Sequence, residues 1–312
     1  MEADAVRMGV RPGKTEPRRL AFPRAARALS KPSLLGLCLA LPAIAFLCVF
    51  FVVPAITLMV DGFLSQNDRG TLTMPLTLAH YRHFFGTPLY AHVLMSTVRI
   101  SLETAALAAV IGYPVALVMV HGNPIIGRIV TVVTIAPLIV SVVVRTYGWQ
   151  LILANGPSGL LNYVLLSLGI IRAPLRLLYA EPAVVIGSLH VFLPMMVLPL
   201  ASALGRINPS LQEAARTLGA PAWRVFRRVT LPLSLPGLAV GFTLVFSLTA
   251  GSFVTPALLG GSSAQMLGNL IEQQILAVYD WGFGSAIAGV LVVIVLGTNM
   301  VMARVLERRT AA

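Results

Sequence analysis

Three groupings of residues in this 312-residue sequence could do chemistry. In the first, Ser158 sits in the turn GPSG (156–159) and His190 follows within the next apolar run. Nucleophilic catalysis needs serine and histidine within hydrogen-bond reach and an oxyanion site, so the pair supports at most an intramembrane serine hydrolase. In the second, GNPIIGRI (122–129) has two glycines at the spacing of a phosphate-binding loop. Arg128 and Ile129 stand where Lys and Ser/Thr would hold phosphate and magnesium, so the loop cannot bind nucleotide in that way. The third is EAARTLGAPAWRVFRRVTLPLSLPGL (213–238), the most charged stretch in the second half of the chain. Its chemistry is that of a surface that recognises another molecule.

The elements that position these residues belong to a membrane protein. Hydrophobic residues make up 57% of the chain, charged residues 11%, and mean hydropathy is +0.86. Six segments have the roughly 20 apolar residues that a spanning helix needs: 34–60, 96–120, 128–151, 183–205, 233–259 and 284–305. The first is too long for the core of a cleaved signal peptide and reads as a retained anchor. Cys38 and Cys48 both fall in it, about 15 Å apart if it is helical, too far for a disulfide.

Lys and Arg orient the spans. With a cytoplasmic N-terminus, 17 of the 23 basic residues lie on that side and four, Arg69, Arg82, Arg172 and Arg176, on the other. Both termini are therefore expected in the cytoplasm of a multi-pass membrane protein. The same distribution accounts for the net charge of +12 without nucleic acid: the basic tail 1–33 lacks an aromatic stacking platform, and no nucleic-acid partner is expected. The expected organisation is all-α, with this tail, a six-span domain over 34–305, and a short cytoplasmic tail over 306–312. Of the outer loops, 61–95 carries Tyr81, Phe84, Phe85 and Tyr90, an aromatic group suited to the membrane interface.

The charged stretch falls between spans four and five and reads as two short helices with an elbow, covering 209–231. Asn208 suits an N-cap, Pro209 the first helical position and Gly219 a left-handed terminus. A second amphipathic helix begins after Pro221, with Ala222, Val225, Phe226 and Val229 on one face. Pro232 and Pro236 are expected to stop it and begin span five. An amphipathic helix lying on anionic lipid is the simpler alternative. A two-helix projection tied at both ends to spans is better suited to docking with a partner and passing movement into the membrane.

At these residues the sequence resembles the integral-membrane permease subunits of binding-protein-dependent ABC importers. Their signature is Glu-Ala-Ala, two or three residues, Gly, nine residues, Ile, one residue, Leu-Pro. Glu213, Ala214, Ala215, Gly219, Leu231 and Pro232 match it, with Val229 in place of Ile. The resemblance implies a bacterial inner-membrane protein with a coupling helix seated in a groove of a cytoplasmic ATPase, Glu213 giving a polar contact and Gly219 the elbow; Ala214, Ala215, Phe226, Leu231 and Pro232 are the other candidate ATPase-coupling residues. RTYGW (145–149), LPMMVLPL (193–200), FVTPALLGG (253–261) and MLGNLI (266–271) are similar to the spermidine/putrescine branch. That branch is expected to carry acidic residues near FVTPALLGG, where this chain has Ser252 and Ala257. The resemblance therefore implies a non-enzymatic transport subunit for a small organic solute, polyamine first, with an amino acid, aminophosphonate or other small organic ion as the alternative. It needs no cofactor of its own. ATP and Mg belong to an ATPase dimer, and the other partners are a second, related permease, a periplasmic substrate-binding protein and membrane lipid.

Charged residues within spans are expensive and point to function. Arg99 and Glu103 stand four apart on span two and can pair on one helix face. Arg145 lies near the outer end of span three beside Tyr147 and Trp149, as an interface anchor or an outer-gate contact. Glu103, Arg145, Tyr147, Trp149, Ser252 and Asn269 are the candidates for the translocation pathway or its gate. Asn155 and Asn162 are further polar residues near the outer side, better suited to turns. A channel is a further alternative, but it has little use for the Glu213 element.

Overall fold

The structure, a computed structural model, describes residues 34–67 and 72–310. The basic tail expected at 1–33 lies outside the described residues. The chain divides into two compact units, the second beginning at Val53. In the first, helix α1 (Leu34–Leu47) leads into a π turn (Cys48–Val52), with the Phe46 and Phe50 rings 4.9 Å apart. Phe46, Phe50 and Phe51 are exposed, as suits a helix built of apolar residues all round.

The second unit begins with α2 (Val53–Asp61) and a small antiparallel hairpin, β1 (Leu64–Gln66) and β2 (Leu72–Leu76). The hairpin corrects the expectation of an entirely helical chain. Short helix α3 (Ala79–Gly86) and long helix α4 (Pro88–His121) follow, then α5 (Pro124–Ile139), α6 (Val142–Ile152) and α7 (Leu160–Ser167). Next come α8 (Glu181–Gly205), α9 (Pro209–Thr217), α10 (Ala222–Val225) and a π turn (Phe226–Thr230) that passes into α11 (Leu231–Ala250). The chain finishes with α12 (Val254–Leu259), α13 (Leu267–Glu272), a third π turn (Gln273–Val278) and α14 (Trp281–Thr310).

Among the described residues, five helices are long and apolar enough to cross a membrane: Ala40–Asp61, Pro88–His121, Glu181–Gly205, Ala222–Ala250 and Trp281–Arg304. The sixth expected span, 128–151, is not one straight helix. It is a pair, α5 and α6, bent by 104°. Val140 and Ser141 between them are extended, with ψ of 136° and 135°. Pro137 in the last turn of α5 and the polar Ser141 after it are the local signals of the break.

Span five also differs from expectation at both ends. Pro232 and Pro236 do not stop the preceding helix. The π turn carries the helix across, its end met by the Leu231 N–H bonding to the Phe226 carbonyl, and Pro232 sits in the first turn of α11. At the other end α11 closes at Ala250 and not at 259, because the chain turns through Gly251–Phe253 into the separate helix α12.

Helices α4, α8 and α11 form the centre of the second unit, and small residues let them approach. A Cβ on Gly112 of α4 would stand 2.9 Å from Met196 Cγ, and one on Gly241 of α11 would stand 2.9 Å from the Met196 carbonyl oxygen. Met196 is thus fully enclosed between two glycines from different helices. Gly237 is tighter still: its Cβ would meet Ala203 Cβ and lie 2.7 Å from the Pro199 carbonyl oxygen. Backbone cannot yield as a flexible side chain does, so Gly237→Val is expected to cost about 1–3 kcal/mol. Thermal unfolding of the purified protein in mild detergent measures it; an unchanged midpoint would mean that α8 and α11 are not held this closely.

Candidate functional site

The charged stretch folds with the capped helix α9 and the elbow expected, but the second short helix expected there runs on from Ala222 into span five. Asn208 accepts the Ser210 N–H through its side chain, Pro209 opens α9, and Gly219 is left-handed with φ +78°. Glu213 and Ala214 are exposed, Ala215 half-buried, and Glu213 makes no ion pair among the described residues. Leu218 is 88% exposed and Trp223 67%, so apolar surface faces outward on both parts. The element is anchored from beneath. Val225 is buried, and the Phe226 ring stacks on Trp223 at 5.5 Å and meets Tyr113 of α4 edge-on at 5.4 Å. The Tyr113 and Ser234 hydroxyls are 2.6 Å apart, joining α4 to α11. Trp223 is thus linked through Phe226 and Tyr113 to two long helices, α4 and α11. Leu231 is half-buried and Pro232 exposed at the head of α11.

The second grouping surrounds the break between α5 and α6. A helix end leaves carbonyls without intrahelical partners, and at membrane depth they must be satisfied by protein. Arg145, in the first turns of α6, meets this need: its Nη2 donates to the carbonyls of Pro137 and Val140, the latter at 2.5 Å. At 9% exposure the guanidinium is a buried fastener between the two halves and not a side chain reaching to an interface. One turn on, the Trp149 indole N–H donates to His190 Nδ1 of α8 at 3.1 Å. Gln150 Nε2 donates to the Leu258 carbonyl at 2.6 Å, tying α6 to α12. Tyr147, between Arg145 and Trp149 in sequence, is exposed. A cavity of about 370 Å³ lies beside the break, lined by Thr134, Pro137, His190, Leu193 and Pro194 among others. His190 is thus committed to Trp149, and no hydrogen bond joins it to Ser158 among the described residues.

The third grouping lies on α4 and α8. Arg99 does not spend its charge chiefly on Glu103, four residues along. It binds Glu181, the first residue of α8, through two parallel contacts, Nε to Oε1 at 2.6 Å and Nη2 to Oε2. Glu103 stays at 4.0 Å from Nε with half of its side chain exposed. Two carboxylates and one guanidinium therefore share a cleft of about 430 Å³ with a formal charge of one negative. The sequence reading missed Glu181; its signal was an acidic residue heading an apolar run, with no basic residue three or four positions away to pair with it on one helix face.

Ser252 and Asn269 come together away from this cleft. Asn269 Nδ2 donates to the Phe253 carbonyl at 2.8 Å, and a Cβ on Gly268 would stand 2.6 Å from the Ser252 carbonyl oxygen. Asn155 and Asn162 each hold a loop strand by paired amide bonds, Asn155 to Leu178 and Asn162 to Leu175. The aromatic group after α2 is partly core: Phe84 is fully buried, stacked on Tyr90, and Tyr90 meets Phe283 of α14 edge-on at 5.1 Å.

Residues 37–312 match the family described as binding-protein-dependent transport system inner membrane component. The chain belongs to that family. It is a transport permease subunit of an ABC system and not an enzyme, which removes the hydrolase alternative. This permease is 35% identical over 243 residues to the spermidine/putrescine transport system permease protein PotB of Haemophilus influenzae, covering 78% of this chain and 84% of that one. It is 32% identical over 259 residues to PotB of Escherichia coli, covering 83% and 93%. Among solved structures, it superimposes with a TM-score of 0.65 and 20% identity on a chain of a bacterial alginate ABC transporter in complex with a periplasmic protein carrying an alginate pentasaccharide, covering 88% of this chain and 95% of that one. That likeness establishes the permease fold, and the several apolar helices make this a multi-pass inner-membrane protein.

Proposed function

We propose that this permease forms one half of the pathway by which a polyamine of the spermidine/putrescine class enters the cell. The observation that carries this reading is the similarity to PotB over 78–83% of the chain. The cleft with Glu103 and Glu181 supports it, since a pathway for a multiply charged cation needs carboxylates that Ser252 and Ala257 do not provide. A periplasmic binding protein delivers the solute to the outer loops, and a second, related permease supplies the other half. Two ATPase subunits, which hold the ATP and Mg, dock on the element 209–231 on the cytoplasmic side, where both termini also lie. Glu213, Ala214, Ala215 and Gly219 form its contact and elbow; Phe226, Leu231 and Pro232 join it to the spans. Arg145, Tyr147, Trp149, Ser252 and Asn269 shape the pathway and its gate.

The test begins with the partner binding protein, screened by thermal shift against polyamines, amino acids, aminophosphonates and organic acids, and continues with ligand-dependent ATPase stimulation in the assembled importer. Spermidine or putrescine is the expected ligand. Glu181→Gln is then expected to raise the half-saturating polyamine concentration for uptake about fivefold, the effect of losing roughly 1 kcal/mol from a partly exposed charge. A binding protein that responds only to zwitterionic or anionic solutes would overturn the polyamine assignment and leave the coupling element untouched.

A further inference from the structure

We infer that the unit beginning at Val53 binds one anionic phospholipid, with an acyl chain in a groove between α2, α4 and α14 and the phosphate at Arg82. The groove has a volume of about 390 Å³, and Met59, Phe63, Leu94, Val290, Val293 and Ile294 make most of its walls. Three of those walls belong to helices long and apolar enough to span: Met59 is two residues from the end of Ala40–Asp61, Leu94 six residues into α4, and Val290 to Ile294 lie within Trp281–Arg304. The groove therefore opens at hydrocarbon depth near the end of the spans. Gly289 keeps it open, because even a Cβ there would stand 3.2 Å from Tyr81 Oη. At Gly62 a Cβ would lie 2.9 Å from the Ala286 backbone nitrogen, so the chain leaving α2 packs directly on α14.

Helix α3 also borders the groove. Tyr81 and Phe85 form part of the groove and also of a neighbouring cleft of about 800 Å³ that contains Thr77 and Arg82. Arg82 is exposed and has no ion pair among the described residues. An apolar trough that ends beside an unpaired cation fits an amphiphile with a negative head. Among the described residues no carboxylate lines either hollow, so the ammonium of a zwitterionic lipid finds no partner among them. Arginine near a membrane surface adds about 1 kcal/mol for an anionic head, or roughly fivefold in occupancy. The inference rests on the membrane-spanning fold and is independent of the transported solute.

The test uses the full chain purified with its partner subunits. The complex is incubated in mild detergent with equimolar phosphatidylglycerol and phosphatidylethanolamine of matched acyl chains, separated by gel filtration, and its bound lipids are counted by mass spectrometry. Phosphatidylglycerol is expected to be enriched about fivefold. The enrichment should vanish in Arg82→Gln and persist in Arg172→Gln, which removes another exposed outer-loop cation. Gly289→Leu, which fills the groove, should lower the retention of both lipids. Inorganic phosphate is expected not to displace the lipid; displacement would reduce the site to one for phosphate alone and overturn the lipid assignment. Equal retention of the two lipids by the unaltered protein, or enrichment surviving in Arg82→Gln, would also overturn it. Efficient cross-linking of Val293→Cys to the second permease in membranes would assign the groove to protein instead.

Discussion

Arg145→Leu is expected to lower the thermal stability of the permease by several kcal/mol and to abolish uptake by the assembled importer. The guanidinium is buried and bonds to two carbonyls, Pro137 and Val140, at a 104° break between helices. Leucine fills much of the volume but donates nothing, leaving two buried acceptors at about 1–3 kcal/mol each. That is a large share of the roughly 5–15 kcal/mol by which proteins are usually stable. Arg145→Lys keeps a donor and the charge but loses the planar fork, so an intermediate stability is expected. Thermal unfolding in detergent and uptake in proteoliposomes measure the two effects. If Arg145 served only to contact solute, the lysine variant would shift the half-saturating concentration while its unfolding midpoint stayed put. An unaltered midpoint in Arg145→Leu would show that the break holds without this fastener.

The second large effect is expected at the proposed coupling element, 209–231. Gly219 has φ +78°, and nothing lies within 4 Å of where its Cβ would be. The cost of Gly219→Val is therefore conformational and not steric crowding: about 1–2 kcal/mol against the left-handed region, more for a β-branched residue. Since α9 is exposed and packs little, the chain is expected to relieve this strain by re-angling α9, leaving the span bundle intact. ATPase retained on the purified permease should fall about tenfold, the consequence of misplacing a contact worth some 1.4 kcal/mol, with little change in the unfolding midpoint. Glu213→Arg, which reverses an exposed charge without touching the backbone, should cut ATPase retention or uncouple hydrolysis from uptake. Gly219→Asn, which tolerates the left-handed conformation, should retain most of the coupling. Wild-type uptake in both Gly219→Val and Glu213→Arg would remove the coupling role from 209–231.

Much of this permease was legible in its residues alone, because the signals concerned are local. Runs of apolar residues must be long enough to cross hydrocarbon, and four of the six expected segments appear as long helices close to where the composition places them, at 34–60, 96–120, 183–205 and 284–305. The cap at Asn208 and the elbow at Gly219 follow from backbone preferences that act within a few residues, and both are present. Family membership was readable for the same reason: Glu213 to Pro232 is a contiguous signature.

Tertiary structure decided what depends on residues distant in sequence. Hydropathy is nearly the same for one straight helix and for two helices at 104°, so only the Arg145 contacts to the freed carbonyls reveal how span three is broken. Arg99 had a carboxylate at the right helical spacing in Glu103, and took Glu181 from another helix, 82 positions away, where a two-pronged contact was available. The prolines at 232 and 236 read as a stop, yet the π turn and the packing of Phe226 on Tyr113 carried the helix through. Arg99 had a local option and a distant one, and the distant one prevailed because the packing of α4 on α8 had already brought the better partner within reach. The break at Arg145 and the helix through Pro232 use local bonds, but which of the locally possible forms is taken depends on the bundle around them.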